Sequence, residues 1–380
     1  MKVLEVFLWG FIISGVYSLV IYPVLIIALS RLARPRFQRR SIHPPVSLII
    51  SALNEEAAIG AKLDNSLALD YPRDRLEIIV ASDGSTDGTD AIVRGFADRG
   101  VRLLRYEGGL GKSAVLNRAA SEASGEILIF SDATGMWSAG AIVAMTEHFA
   151  DRRVGCVSGL VGYTYDDSPT SRGFGVYQRY VLALRRAEAA FGSGFNASGS
   201  IHAVRASVFQ PGPPDTFMDM VDPLHAAMQG FHTTFEEEAI SMEESRTQTG
   251  DEFKARARIA LRSWRFLAYA LPRLPICRSS MYCFQVTSHK FLRWLVGPSL
   301  PLIFFLNLAL LGRHPAYRWL FLGQALYYGL TLLELILGRL GARLPGLSAL
   351  LFFNATNLAY LTSFLRYLRG ERMRRWVPSR

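Results

Sequence analysis

The sequence predicts an α/β domain on a parallel, doubly wound sheet, flanked by membrane-spanning helices. Three observations predict it. Short β-branched apolar runs alternate with helix-length segments between Pro44 and Phe130. Three of those runs end in short polar loops that carry carboxylates. Nearly uncharged stretches, long enough to cross a bilayer, lie on either side of this region.

Composition narrows the function classes. The chain has 380 residues, of which 50% are hydrophobic, and its formal net charge is +10. Much of the basic excess sits beside apolar segments, at Arg31, Arg34, Arg36, Arg39 and Arg40 and again from Arg366 to Arg380. Charge placed there suits anionic lipid headgroups, and no aromatic-basic signature of nucleic-acid binding is present. Cys156, Cys277 and Cys283 fit neither a zinc spacing nor a disulfide framework, which suggests that the working face lies in a reducing compartment.

Taken in order, Leu4 to Leu29 reads as a first span. It is too long for a cleaved leader and no small-residue cleavage site closes it. The arginines after it place the next segment in the cytoplasm. Val46 to Ser51 is a buried strand ending in Ala52-Leu53-Asn54-Glu55-Glu56, followed by a helix to about Leu69. Leu76 to Ala81 is a second strand. Its loop, Ser82-Asp83-Gly84-Ser85-Thr86-Asp87-Gly88, leads to a helix that Thr89 or Asp90 can cap. Val101 to Tyr106 is a third strand and Gly111 to Ala123 a third helix. Glu126 to Phe130 is a fourth strand, ending in Ser131-Asp132-Ala133-Thr134. Beyond it the pattern loosens, with a strand near Val154 to Tyr163, a helix from Tyr177 to Ala190 and a small-residue patch at Ala197-Ser198-Gly199-Ser200. Further apolar stretches run from Trp294 to Leu311, Trp319 to Leu337 and Leu347 to Leu365. The implied organisation is a span in 1–33, a cytoplasmic domain in 34–290, and spans with a basic tail in 291–380. Three spans after a cytoplasmic domain put the tail outside, against its basic charge. Glu334 lies inside one presumed span.

The strand-end motifs, together with Gly111-Lys112-Ser113-Ala114-Val115-Leu116-Asn117, resemble the family 2 glycosyltransferases of GT-A fold. The membrane-bound cellulose, hyaluronan and poly-N-acetylglucosamine synthases are the branch they are most similar to. The resemblance covers roughly Pro44 to Trp264. It implies an inverting transferase that moves a hexose or N-acetylhexosamine from a nucleotide-diphosphate sugar, UDP-linked by expectation, to a growing polysaccharide or a lipid-linked acceptor. It implies Ala52, Asn54, Glu55, Asp83, Ser85, Lys112, Ser131 and Asp132 around the donor. Asp132 stands at the first carboxylate of the family's Asp-x-Asp motif, which binds Mg2+ or Mn2+, while Thr134 replaces the second. Asp219 aligns with the general base, with Met218 in place of the preceding acid and Asp222 as a competing candidate. The Gln-x-x-Arg-Trp motif is reduced to Arg256 and Arg258, with Trp264 nearby. Gly199, Arg258 and Trp264 fall on the acceptor or diphosphate side. A phosphate-loop reading of Gly108 to Ser113 fails because position 106 is Tyr106. The resemblance further implies membrane lipids and accessory export subunits as partners, and a bacterial plasma membrane as the location. The altered motifs keep two alternatives open. One is single transfer to a polyprenyl phosphate or sphingolipid-type lipid. The other is a catalytically silent nucleotide-sugar-binding subunit.

Overall fold

The computed structural model describes residues 1–33, 37–164, 169–191, 194–244, 252–340 and 346–371. Arg34, Arg36 and the tail beyond Glu371 lie outside the described residues. The chain forms two compact units: one holds Ile26–Thr247 and Arg265–Gln285, the other Met1–Leu25, Gln248–Trp264 and Val286–Glu371.

In chain order, helices α1 (Lys2–Val16) and α2 (Tyr22–Ser30) precede strand β1 (Val46–Ala52). Then come α3 (Ile59–Leu67), β2 (Leu76–Ser82), α4 (Thr89–Arg94), β3 (Val101–Arg105), α5 (Lys112–Ser121) and β4 (Ile127–Asp132). These are followed by β5 (Met136–Trp137), α6 (Ala141–Glu147), β6 (Val154–Thr164), α7 (Pro169–Ala190), β7 (Ile201–Arg205), α8 (Met218–Met228) and β8 (His232–Glu244). Helices α9 (Glu252–Ala270), α10 (Ser280–Val286), α11 (Leu292–Leu310), α12 (Pro315–Arg339) and α13 (Leu347–Leu368) close the chain.

The eight strands make one sheet in the order β3-β2-β1-β4-β7-β6-β8-β5. The half made of β3, β2, β1 and β4 is parallel, as the alternation predicts. All seven residues of β1 are buried, the mark of a strand covered on both faces. The other half corrects the expectation of a parallel sheet. Strand β7 runs antiparallel to β4 and β6, and β5 runs antiparallel to β8. Chain direction therefore switches beside β4, so the carboxyl end of β4 faces the turn that enters β7.

Helix α1, a five-residue π-helical stretch and α2 form one continuous helix, Lys2–Ser30. Helices α10 and α11 likewise join as Ser280–Leu310. These two and α12 are long and apolar enough to span a membrane. Helix α13, expected as a third carboxyl-terminal span, is not among them. Its Asn354 and Asn357 lower its apolarity, and Asn354 Nδ2 donates to Tyr327 Oη (2.6 Å) and Thr331 Oγ1 (3.1 Å) of α12. Glu334 is buried on α12 rather than turned out to the surface.

Candidate active site

The carboxyl ends of β1 and β2 deliver two loops that knit together. Asn54, at φ 54, turns back after β1. Its backbone N–H donates to Ser85 Oγ (3.1 Å), and its side-chain oxygen accepts from Thr86 N–H (2.8 Å). The Glu55 N–H donates to Thr89 Oγ1 (2.8 Å), so Thr89 is spent on the neighbouring loop. The cap of α4 comes from Asp87, which accepts from Thr89 N–H at 3.0 Å, and not from Thr89 or Asp90. Asp90 instead joins Ser82 Oγ and Arg105 beneath the loop.

Asp83 is 1% exposed. One carboxylate oxygen accepts from Leu110 N–H (3.0 Å) and the other from Gly111 N–H (2.9 Å). Asp83 thus holds the loop that starts α5. Gly84 (φ 71) and Gly108 (φ 98) let the two loops touch, since a Cβ on Gly84 would lie 2.7 Å from the Gly108 Cα. Ala52, Ser85 and Ser131 are buried in the same frame.

That loop aims Lys112, the first residue of α5, at the end of β4. Its Nζ forms an ion pair with Asp132 Oδ1. Asp132 also accepts from Ser200 Oγ (3.2 Å) and Ser51 Oγ (3.4 Å). On the far side of the same turn stands Asp219, half-buried in the first turn of α8. A Cβ on Gly199 would lie 3.7 Å from Asp219 Oδ2. The turn Ser198-Gly199-Ser200 therefore carries Asp132 at one end and Asp219 at the other. A cavity of about 540 Å³ opens from it along β6, α7 and β8.

The sequence spacing leaves Asp219 and Asp222 open, and the structure separates them. Asp222 is 2% exposed and meets His202 Nε2 at 3.0 Å, while His202 Nδ1 meets Ser198 O at 2.9 Å. Burial pushes the Asp222 carboxyl up, and the bond to His202 pulls the other way. Asp222 is a positioning residue that ties α8 to the turn below the cleft.

Residues 47–211 match the sequence profile of Glycosyl transferase family 2. That segment resembles a family 2 glycosyltransferase domain. A probable glycosyltransferase YdaM of Bacillus subtilis is 39% identical over 95 residues, which are 24% of this chain and 23% of that protein. A beta-monoglucosyldiacylglycerol synthase of Nostoc is 32% identical over 132 residues, 33% of this chain and 28% of that protein. The chain spans only about a quarter of the length of these relatives. In fold it matches a mannosyltransferase from Pyrobaculum calidifontis, solved with GDP-Man and Mn2+, at TM-score 0.71 and 21% identity over 97% of this chain and 100% of that one. The eight-stranded sheet is the curled, mixed sheet of a GT-A fold.

Of the predicted site residues, Lys112, Asp132, Gly199 and Asp219 lie around one turn. Arg258 and Trp264 belong to the other compact unit. Trp264 is 2% exposed, its Nε1 donates to Tyr360 O (3.1 Å), and its ring packs on Phe364. Its ring is thus taken up by packing within that unit. Sequence reasoning missed Ser200, although it sits in the small-residue patch. It also missed Lys62, which is fully buried and donates from Nζ to Gly135 O (2.6 Å), just past Asp132. The signal was there: Lys62 falls on the same helix face as Ile59, Leu63, Ser66 and Leu67, all buried.

A divalent ion fits this cleft in one form. Among the described residues no group of three or more His, Cys, Asp or Glu could hold a metal ion. Asp132 is a single, partly exposed carboxylate beside the Ser200 hydroxyl. Mg2+ is commonly held by one or two carboxylates completed by substrate phosphates and water. The donor set therefore suits an ion that arrives with a diphosphate.

Proposed function

We propose that the chain is an integral-membrane inverting glycosyltransferase that moves a hexose or N-acetylhexosamine from a UDP-sugar to a hydroxyl of a lipid acceptor. The observation that carries this reading is the placement of Asp132 and Asp219 on either side of the Ser198–Ser200 turn. Lys112 and Asp132 form the donor end. Asp132 would hold Mg2+ or Mn2+, which neutralises charge on the diphosphate leaving group. Lys112, paired with Asp132, would add a flexible point charge there. Asp219 takes the proton of the acceptor hydroxyl as the bond from that oxygen to the anomeric carbon forms and the bond to phosphate breaks. Attack from the face opposite the leaving group inverts the anomeric centre.

The lining of the cavity favours a lipid over a long glycan. Its walls are Leu160, Val161, Val181, Leu182 and Met242 with two arginines, and no aromatic ring is among its described lining residues. Relatives whose names state lipid acceptors agree with this, such as the beta-monoglucosyldiacylglycerol synthase of Nostoc. Polymer synthesis stays the second reading, supported by 30% identity over 116 residues to a poly-beta-1,6-N-acetyl-D-glucosamine synthase of Staphylococcus epidermidis. Purified full-length protein given UDP-sugars, Mn2+ and total lipid extract is expected to release UDP and yield one labelled glycolipid of inverted anomeric configuration by NMR. Retention of configuration, or UDP-sugar binding without turnover, would contradict the reading. A ladder of products would favour the polymer.

A further inference from the structure

A buried polar pair lies under the turn between Asp132 and Asp219. The ring of His202, on β7, is 1% exposed and touches three elements. Its Nδ1 lies 2.9 Å from Ser198 O, its Nε2 lies 3.0 Å from Asp222 Oδ2 on α8, and its centroid lies 5.0 Å from that of the Phe130 ring on β4. Phe130 stands two residues before Asp132, and Asp222 three residues after Asp219, on the same side of α8. A further tie closes the circuit. Ala197 N–H donates to the main-chain oxygen of Asp219 at 2.7 Å. Pro223, four residues on, has no N–H to offer that oxygen and leaves it to the turn. The turn is thus pinned to α8 at Asp219 itself and, through His202, at Asp222. His225, the next histidine on α8, is taken up by Gln210 O and Tyr269 Oη and stands outside this circuit.

The hydrogen bonds fix the proton count. A carbonyl only accepts, so Nδ1 carries a proton. A bare Nε2 and an ionised carboxylate would meet lone pair to lone pair, so a second proton lies between them, on Nε2 or on Asp222. Either way the pair has no net charge, and Asp219 meets no second net negative charge on its own helix face. Such a buried pair is a weak source of stability, because well-packed apolar side chains of similar volume often do as well or better. We infer that His202 and Asp222 are positioning residues for the proton-removal step: the proton they share holds Ser198 O, and with it the Ser198–Ser200 turn, against α8, so that the Asp219 carboxylate is aimed at the acceptor hydroxyl. The inference rests on the proposed transfer, in which Asp219 is the base.

The test uses the full chain in nanodiscs, with UDP-sugars, Mn2+ and total lipid extract. The double variant His202→Phe/Asp222→Leu removes the polar pair and nearly keeps its volume. It is expected to melt within about 3 °C of wild type or above it, to bind UDP-sugar as wild type does, and to lose at least about tenfold in kcat. Asp222→Asn, which donates to Nε2 of a neutral His202, is expected to fall between the two. The 15N spectrum of histidine-labelled wild type, with the His202 signals assigned by their loss in His202→Phe, is expected to show a protonated Nδ1 and an Nε2 that shares a proton. A double variant with the kcat of wild type would overturn the inference and leave the transfer intact. So would a fall in kcat matched by falls in melting temperature and donor binding, since the pair would then serve the fold alone. An Nε2 that shares no proton would remove the link on which the inference stands. Absence of UDP release from wild type with any sugar would overturn the transfer itself, and this inference with it.

Discussion

A lysine amine shut away from water must lose its charge or find compensation. Lys62 does some of each. Burial pulls its amine down to about 7 from the usual 10.5, and the Asp132 and Glu243 carboxylates pull it part of the way back. It lies 4.5 Å from the centroid of the Trp137 ring and bonds Gly135 O, so it anchors the segment that follows Asp132. The unfolded chain keeps this proton to higher pH than the folded chain. Between about 7 and 10.5 unfolding takes up a proton, and the folded state gains stability as pH rises, by at most about 1.4 kcal/mol per pH unit. Thermal melts of wild type and Lys62→Met are expected to diverge across that window, the wild type gaining relative to the variant. Parallel curves would show that Lys62 is charged in the folded protein. The carboxylates around the turn divide by a similar logic. Asp83 and Asp222 are buried and tied to backbone N–H groups and to His202, whereas Asp132 and Asp219 keep access to solvent. Residue type alone does not tell these pairs apart, because a carboxylate that holds a loop and one that meets a substrate occupy the same kind of strand-end motif.

At the scale of elements, the parallel half of the sheet was legible because each of its central strands is an apolar run closed by a turn-forming loop. The order of Asn54, Asp83, Lys112 and Asp132 along the chain follows the order in which strands deliver their carboxyl ends. The antiparallel half was less legible. Strand β6 pairs with β8 through two register irregularities, and β8 gathers its acids in blocks, Glu236–Glu238 and Glu243–Glu244, so neither shows a clean period. The convergence of Asp219 on Asp132 depends on that half, since β7 brings the Ser198–Ser200 turn back beside β4. Trp264 was ambiguous in the sequence for a related reason. A tryptophan near arginines suits a sugar platform as well as a helix interface, and only its packing on Tyr360 and Phe364 distinguishes them. Helix α7 read as a helix from its pattern, yet which of its arginines meet a cavity depends on where the cavity lies.

At the scale of the whole molecule, the number of spans decides the topology. Crossing by just the three helices long and apolar enough to span a membrane would return the chain to the side of residues 37–244, where the positive-inside rule favours the basic sequence after Glu371. A fourth crossing by α13 would put the tail opposite. Protease protection in sealed vesicles, with one tag after Glu371 and a cleavage site in the loop after Ser30, is expected to report both on the same side. Opposite sides would make α13 a span. The central claim, that Asp132 and Asp219 serve one sugar-nucleotide cleft in different roles, has a direct measurement: donor binding by titration calorimetry beside turnover for Asp132→Asn and Asp219→Asn. Asp219→Asn is expected to bind UDP-sugar with Mn2+ like wild type and to lose about a hundredfold or more in kcat, while Asp132→Asn loses binding itself. Undiminished turnover in Asp219→Asn, or unchanged donor binding in Asp132→Asn, would contradict the account.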